Sequence, residues 1–303
     1  MIKKIIHTGD IHIRTLRFHD EYKDVFKNFI KDVKELVSGY TREEVRIVVA
    51  GDLVHQKIVI SNEQLILATW FLRKLEEIAP VILIAGNHDV LENNLGRMDS
   101  LSPMVQFLGD KDINYFKESK CYLDENVVWC PYSIFEENAR PDIESARTEF
   151  GNDKTYIGLF HGPIIGSITD IGYEIEHGYG LEIFEGCDMV MCGDIHSRNP
   201  LIYKETKVIQ STEVDKYLNN KWTVEQQEIN GFVKVKKNIP VQMSGSLIQQ
   251  NFGENVSKHG FLFWDIETRV FTEHDVDNNY PYYHFKITSL DDIDNGTEKI
   301  TNL

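Results

Sequence analysis

Three times before Val90 the chain runs through a short apolar stretch and stops on an acidic or imidazole side chain. "KKIIHTGD" ends at Asp10, with His12 two residues on; "EVRIVVAGD" ends at Asp52; "PVILIAGNHD" ends in Asn87, His88 and Asp89. Between these runs lie two stretches of helical period. The first carries Tyr22, Val25, Phe26, Phe29, Ile30, Val33, Leu36 and Val37 on one face, and the second starts at a cap residue, Ser61 or Asn62. Strand, helix, strand, helix, strand in this order makes a parallel or mixed sheet covered by helices on at least one face.

Further along the pattern turns to short strands. "VVWCPYS", "TYIGLFHG" and "CDMVMCGD" are apolar runs, and "GFLFWDIETRVFTEHDVD" predicts a hairpin turning near Glu267–Thr268. From Leu201 to Pro240 the chain is polar and weakly patterned, with seven lysines against five acids. This segment reads as an insertion between two strands. Its lysines read first as a solvated loop and second as a local phosphate contact. From about Tyr280 a new strand is expected to begin.

The polar residues gather at strand ends. Two more runs end this way, one at His161-Gly162 and one at Gly193-Asp194-Ile195-His196. In α/β sheets ligands bind at the carboxyl ends of strands. Asp10, His12, Asp52, Asn87, His161, Asp194 and His196 together offer carboxylate, amide oxygen and imidazole donors, a set that suits manganese, iron or zinc better than magnesium. Seven donors exceed the needs of one ion. Two ions roughly 3.5–4 Å apart clamp a phosphate and stabilise both apical oxygens of an in-line displacement. Singly, each residue has an ordinary explanation: Asp-x-His after a strand is usually a turn, and a lone histidine is usually a core residue. Their order, each at the end of an apolar run, is what carries the metal reading.

"GDIH", "GDLVH", "GNHD", "FHG" and the second "GDIH" resemble the five motifs of calcineurin-like metallophosphoesterases. Within that family the chain resembles the SbcD branch, the nuclease subunits of bacterial and phage recombination complexes, because "GSLIQQNFGE" followed by "HGF" is similar to a segment of that branch. The resemblance covers about residues 1–265. It implies a four-layer αββα sandwich of two mixed sheets over residues 1–279, interrupted by the 201–240 insertion, with a small capping domain beginning in 280–303. It also implies two divalent ions, manganese first and magnesium second. Asp10, His12, Asp52 and His196 would hold one ion. Asp52, Asn87, His161 and Asp194 would hold the other, with Asp52 shared. His88 would contact the scissile phosphate and protonate the leaving oxygen, a role imidazole suits near neutral pH. Asp89 would orient His88, and His55 would lie near the DNA.

One position departs from the family pattern. Asp194 stands where the family has a histidine, in Gly-His-x-His. Two divalent ions and three carboxylates leave one positive charge where the family pattern leaves two. A more anionic shell weakens the second ion as a Lewis acid, so activity is expected to shift to higher pH. The opposite expectation is that Asp194 points away and the second ion binds weakly.

The formal net charge of −16 sets this chain apart from proteins that grip nucleic acid unaided, which are basic. The resemblance supplies a reason: an SbcC-type, SMC-like ATPase clamps the DNA, and the nuclease subunit forms a homodimer within the complex. The resulting expectation is a DNA exonuclease and endonuclease of repair, recombination or replication. The competing readings are a general phosphatase or small-molecule phosphodiesterase of the same fold, and an inactive assembly subunit. Four cysteines with no metal-ligand spacing read as buried thiols of a reducing, cytoplasmic compartment. The N-terminal apolar stretch is too short for a signal peptide, and no run approaches a membrane span.

Overall fold

The computed structural model describes residues 1–57, 59–109, 112–136 and 138–283. The strands are β1 (Lys4–Thr8), β2 (Val45–Ala50), β3 (Val81–Ile84), β4 (Ile113–Tyr115), β5 (Tyr122–Asp124), β6 (Val127–Pro131), β7 (Thr155–His161), β8 (Met189–Gly193), β9 (Pro200–Gln210), β10 (Thr223–Ile229), β11 (Phe232–Met243), β12 (Gly260–Asp265) and β13 (Val270–Asp275). The helices are α1 (His19–Leu36), α2 (Asn62–Glu76), α3 (Leu101–Leu108), α4 (Ile143–Phe150) and α5 (Val214–Leu218).

Two mixed sheets stack face to face. The first has six strands in the order β13-β12-β1-β2-β3-β4, and the second has seven, β10-β11-β8-β7-β6-β5 with β9 on β11. The central strands β1, β2 and β3 run parallel, as do β6, β7 and β8, so their carboxyl ends come out together. Ile5, Val48, Ile82 and Trp264 of one sheet meet Trp129, Ile157, Leu159 and Met191 of the other in a fully buried layer. Each such side chain contributes about 1.5–3 kcal/mol by leaving water.

The outer face of the first sheet is covered by α1, α2 and α3. The apolar stripe of α1 comes from the 3–4 residue spacing of Tyr22, Val25, Phe26, Phe29 and Val33, all buried. Phe26 stacks on Phe71 of α2, with ring centroids 4.0 Å apart. Ser61 caps α2 by accepting the Gln64 N–H at 3.1 Å. The second sheet carries a thinner cover, α4 and the turn Leu181–Phe184, over Tyr156, Phe160 and Val190. The architecture is the αββα sandwich, with one helical layer reduced.

The 201–240 segment is a β-ribbon rather than a solvated loop. β9 and β11 form a long antiparallel ribbon, and the end of β11 (Val241–Met243) is an inner strand beside β8. The period-two burial of Val233, Val235, Ile239, Val241 and Met243 is what places it there. Polar residues interleaved with these valines hid the strand from a reading of average polarity. Its lysines are largely spent within the protein. Lys237 is buried 2.6 Å from Asp188, Lys207 is 2.9 Å from Glu205, and Lys234 is 2.9 Å from Glu225. The hairpin of β12 and β13 turns where the sequence places it. Of the strand and capping domain expected in 280–303, residues 284–303 lie outside the described residues, and 280–283 are coil. Cys130, Cys187 and Cys192 are buried free thiols, whereas Cys121 is half-buried. Among the described residues no helix is long and apolar enough to cross a membrane.

Candidate metal centre

The turns after β1, β2, β3, β7 and β8 close on one point. Four of their residues leave the strands in left-handed backbone: Asp10 (φ 49°), His12 (φ 51°), Asp52 (φ 55°) and Asp194 (φ 90°). Such conformations cost non-glycine residues about 1 kcal/mol or more each and persist where surrounding structure holds them. The glycine ahead of Asp52 is needed for space as well as for its φ of 88°. A Cβ on Gly51 would lie 2.3 Å from Nδ1 of His161, and one on Gly86 would lie 2.2 Å from Oδ1 of Asp52.

The seven donors named from the sequence converge. Oδ2 of Asp52 is 3.4 Å from Nε2 of His12 on one side and 3.4 Å from Nε2 of His161 on the other. Nε2 of His12 is 3.1 Å from Nε2 of His196. Asp10, His12 and His196 have donor atoms within 4.8 Å of one another, and so do Asp10, Asp52 and His161. Asp10 therefore borders both groups. Asp194 faces the site rather than solvent: Oδ1 lies 3.8 Å from Nε2 of His161, and its backbone N–H donates to Oδ1 of Asp10 at 2.9 Å.

The imidazoles are fixed in tautomer by partners outside the cluster. Nδ1 of His161 donates to the Ala50 carbonyl at 2.7 Å, which turns the Nε2 lone pair inward. Nδ1 of His196 meets Oε1 of Glu254 at 2.9 Å and does the same for its Nε2. Burial holds the His12 pKa well below the ordinary histidine value. Burial pushes the Asp10 carboxyl up to about 7. For His196 burial acts downward, but the Glu254 hydrogen bond and the charges of Asp10, Glu254 and Asp170 outweigh it and bring the pKa to about 9, so the Nε2 lone pair becomes available only as a cation displaces the proton there.

The donor set fits divalent ions. Nε2 of His161 and Oδ1 of Asn87 are buried without a hydrogen-bond partner. A buried lone pair left so costs about 1–3 kcal/mol, and a cation would satisfy both. Three carboxylates gathered in a small volume, two of them with burial-raised pKa, repel one another unless positive charge lies between them. Asp10, His12, Asp52 and His196 could hold one ion, and Asp52, Asn87, His161 and Asp194 a second.

A cleft of about 170 Å³ opens over these groups, lined by His12, Arg14, Asp52, His55, Asn87, His88, Asp194, His196, Gln250 and Asn251. His88 stands at its edge, with Nδ1 2.7 Å from the His55 carbonyl. The His55 ring stacks on that of His88 at 5.1 Å, and its Nδ1 is 3.3 Å from Nδ1 of His12. Burial, with the Arg14 and His88 charges, lowers the His55 pKa to about 4.

Asp89 is placed otherwise than the sequence reading holds. Its carboxylate accepts the backbone N–H groups of Asp52 (2.8 Å), Gly86 (2.9 Å) and Val54 (3.2 Å). It ties the second turn to the third, while the His55 carbonyl orients His88. The reason is geometric: Asp89 is fully buried with its carboxylate committed to these N–H groups, whereas His88 lines the cleft. Glu254, Gln250 and Arg14 are further residues of the site to which the sequence reading gave no role. Two of them lie in "GSLIQQNFGE", so the signal was present as a segment but not as individual contacts.

The chain matches the calcineurin-like phosphoesterase family over residues 3–198. It is also similar to an uncharacterized protein of Acanthamoeba polyphaga mimivirus, 34% identical over 292 residues that make up 94% of this chain. The chain spans 19% of that protein's length. Fold, converging strand-end turns and family match agree, and the chain belongs to the calcineurin-like phosphoesterase family, whose chemistry is metal-dependent hydrolysis of phosphoesters.

Proposed function

We propose that this protein is an SbcD-type DNA nuclease, hydrolysing phosphodiester bonds with two manganese ions as subunit of a complex with an SbcC-type ATPase. The observation that carries the reading is Glu254. It belongs to the segment that sets the SbcD branch apart, and its carboxylate holds His196 in place while Gln250 of the same segment lines the cleft. The acidic surface fits a division of labour in which the ATPase grips the DNA. The lysine-rich ribbon does not replace that grip, since Lys207, Lys234 and Lys237 are paired internally.

In this reading two divalent ions held by Asp10, His12, Asp52, Asn87, His161, Asp194 and His196 would supply Lewis acidity. The protein's own groups do the rest. Arg14 faces the cleft and offers its guanidinium to a phosphate oxygen. The His88 ring, held through Nδ1 by the His55 carbonyl, presents Nε2 to the cleft and delivers a proton from that atom to the leaving oxygen. Asp89 keeps the turns carrying Asp52 and Asn87 at fixed separation.

The test is substrate comparison with manganese present. Linear duplex and single-stranded DNA should be degraded, and p-nitrophenyl phosphate hydrolysed poorly. Efficient monoester hydrolysis with intact DNA would place the chain among the phosphatases of the fold instead.

A further inference from the structure

Beside the cleft three aromatic rings form a row. Phe18 and Tyr282 have centroids 5.8 Å apart, and Tyr282 and Phe252 5.3 Å apart. Phe18 is 42% and Phe252 65% exposed. We infer that this row is a nucleobase platform, stacking unpaired bases of a single-stranded nucleic acid whose phosphodiester lies in the adjoining cleft.

Phe18 breaks two local rules at once. It sits at φ 62°, ψ 20°, a left-handed conformation that bulky L side chains rarely adopt. It also occupies the N-cap of α1, where Ser, Thr, Asp or Asn would satisfy a free N–H, and it makes no side-chain cap. The fold thus keeps an unfavourable residue in an unfavourable conformation and leaves its ring partly exposed. Local violations of this kind mark function more often than folding.

Tyr282 is held firmly, and the loop that carries Phe252 is pinned. Tyr282 and Gln249 exchange hydrogen bonds, Tyr282 N–H to Oε1 at 2.8 Å and Nε2 to the Tyr282 carbonyl at 3.1 Å. The Tyr282 hydroxyl reaches Oε2 of Glu21 on α1 at 3.4 Å. Phe252 rides on a loop pinned by Asn251, whose Oδ1 accepts the Gly253 N–H at 2.7 Å, and by Oε2 of Glu254, which accepts the Gln250 N–H at 2.7 Å. Glu254 is the residue that holds His196, so the loop displaying Phe252 is mechanically continuous with the metal centre.

The occupant follows from that continuity. Gln250 and Asn251 line the cleft immediately before Phe252, and Arg14, which donates to the Gln250 carbonyl at 3.0 Å, stands at the seam. The Arg14 charge acts on the Tyr282 hydroxyl, so a phosphate held by Arg14 would bring its attached bases towards that ring. Rigid aromatic faces bind any base, because every base has a π-face, and paired bases are already stacked and cannot use them. The platform therefore selects unpaired strands. The inference rests on the phosphodiesterase reading of the cleft, and its test is designed to fail separately.

Binding is measured by fluorescence anisotropy in EDTA, where no cleavage occurs, with a labelled oligothymidylate and a strand of equal length and charge made of abasic residues. The wild type should prefer the base-bearing strand. Phe18→Ala and Phe252→Ala should each weaken its binding about 5- to 100-fold and leave the abasic strand unaffected. Phe252→Trp should retain binding, and Phe18→Gly should raise thermal stability while losing it, separating the ring's role from folding. A wild type that does not discriminate the strands, or variants that lose both equally or neither, would overturn the platform and return the patch to a protein partner. Base-dependent binding by a wild type that cleaves no oligonucleotide with manganese would uphold the platform and sink the nuclease reading.

Discussion

Oδ2 of Asp52 and Nε2 of His161 face each other across 3.4 Å, and Nδ1 of the same imidazole is already committed to the Ala50 carbonyl. The carboxylate and the ring therefore point two lone pairs at a common place. Asp52→Asn keeps an amide oxygen for the His88 N–H, which now meets Oδ1 at 2.8 Å, so the turn should survive while the charge is lost. Manganese stoichiometry, read by isothermal titration, should fall from two to one or none, with hydrolysis down at least about a hundred-fold. Two ions still bound at unchanged affinity would refute the shared role of Asp52.

Glu254 acts on His196 from outside the donor set. Replacing a carboxylate that orients a metal-binding histidine typically costs about 10- to 100-fold in metal affinity. Glu254→Ala should show that loss in manganese titrations, and Glu254→Gln, which retains an acceptor for Nδ1, a smaller one. An alanine variant that binds manganese like the wild type would remove Glu254 from the site.

The two histidines at the cleft edge should separate cleanly. His88→Gln should lower kcat about 100- to 10,000-fold with manganese affinity unchanged. His55→Ala leaves the carbonyl that holds Nδ1 of His88 in place, so it should cost far less. Equal losses in the two variants would mean that His88 is not the proton donor.

Asp194 offers a charge experiment. Its side chain lies 3.8 Å from His161 and lines the cleft, so Asp194→His exchanges an anion for a neutral donor at the site. The pH–rate profile should move to lower pH, because a less anionic shell makes the bound ion a stronger Lewis acid. An unmoved profile would show that the side chain is no part of the centre.

Stability has its own pH signature. His7 is fully buried in β1, and burial drives its pKa down to about 3 from the ordinary 6.5. Between those values the unfolded chain binds a proton that the folded chain refuses. Stability should therefore fall as pH drops from 6.5 towards 3, by about 5 kcal/mol over the whole interval. Denaturant midpoints of His7→Leu, compared with wild type across pH 4–8, should flatten that dependence. Parallel curves would exclude His7 as the titrating group.

The helix-covered sheet and the strand-end donors were legible in the residues because each of the five turns is written locally, while the four-layer sandwich was implied by the family resemblance. An apolar run sets each strand; in four of the turns a glycine precedes the donor where a Cβ would strike a neighbour, and after β7 the glycine follows it. Neighbouring residues suffice to specify such a turn. The groups that fix the donors were not legible, because they are distant or anonymous. Glu254 lies far along the chain from His196, and the Ala50 and His55 carbonyls belong to the backbone, which every residue has. Asp89 shows the same limit from the other side: adjacency to His88 made it look like that ring's partner, and burial turned it to three N–H groups instead. The β9–β11 ribbon and the aromatic row of Phe18, Tyr282 and Phe252 likewise exist only once the chain has folded, since sheet pairing and ring contact join residues by position in space, which composition and spacing along the chain do not encode.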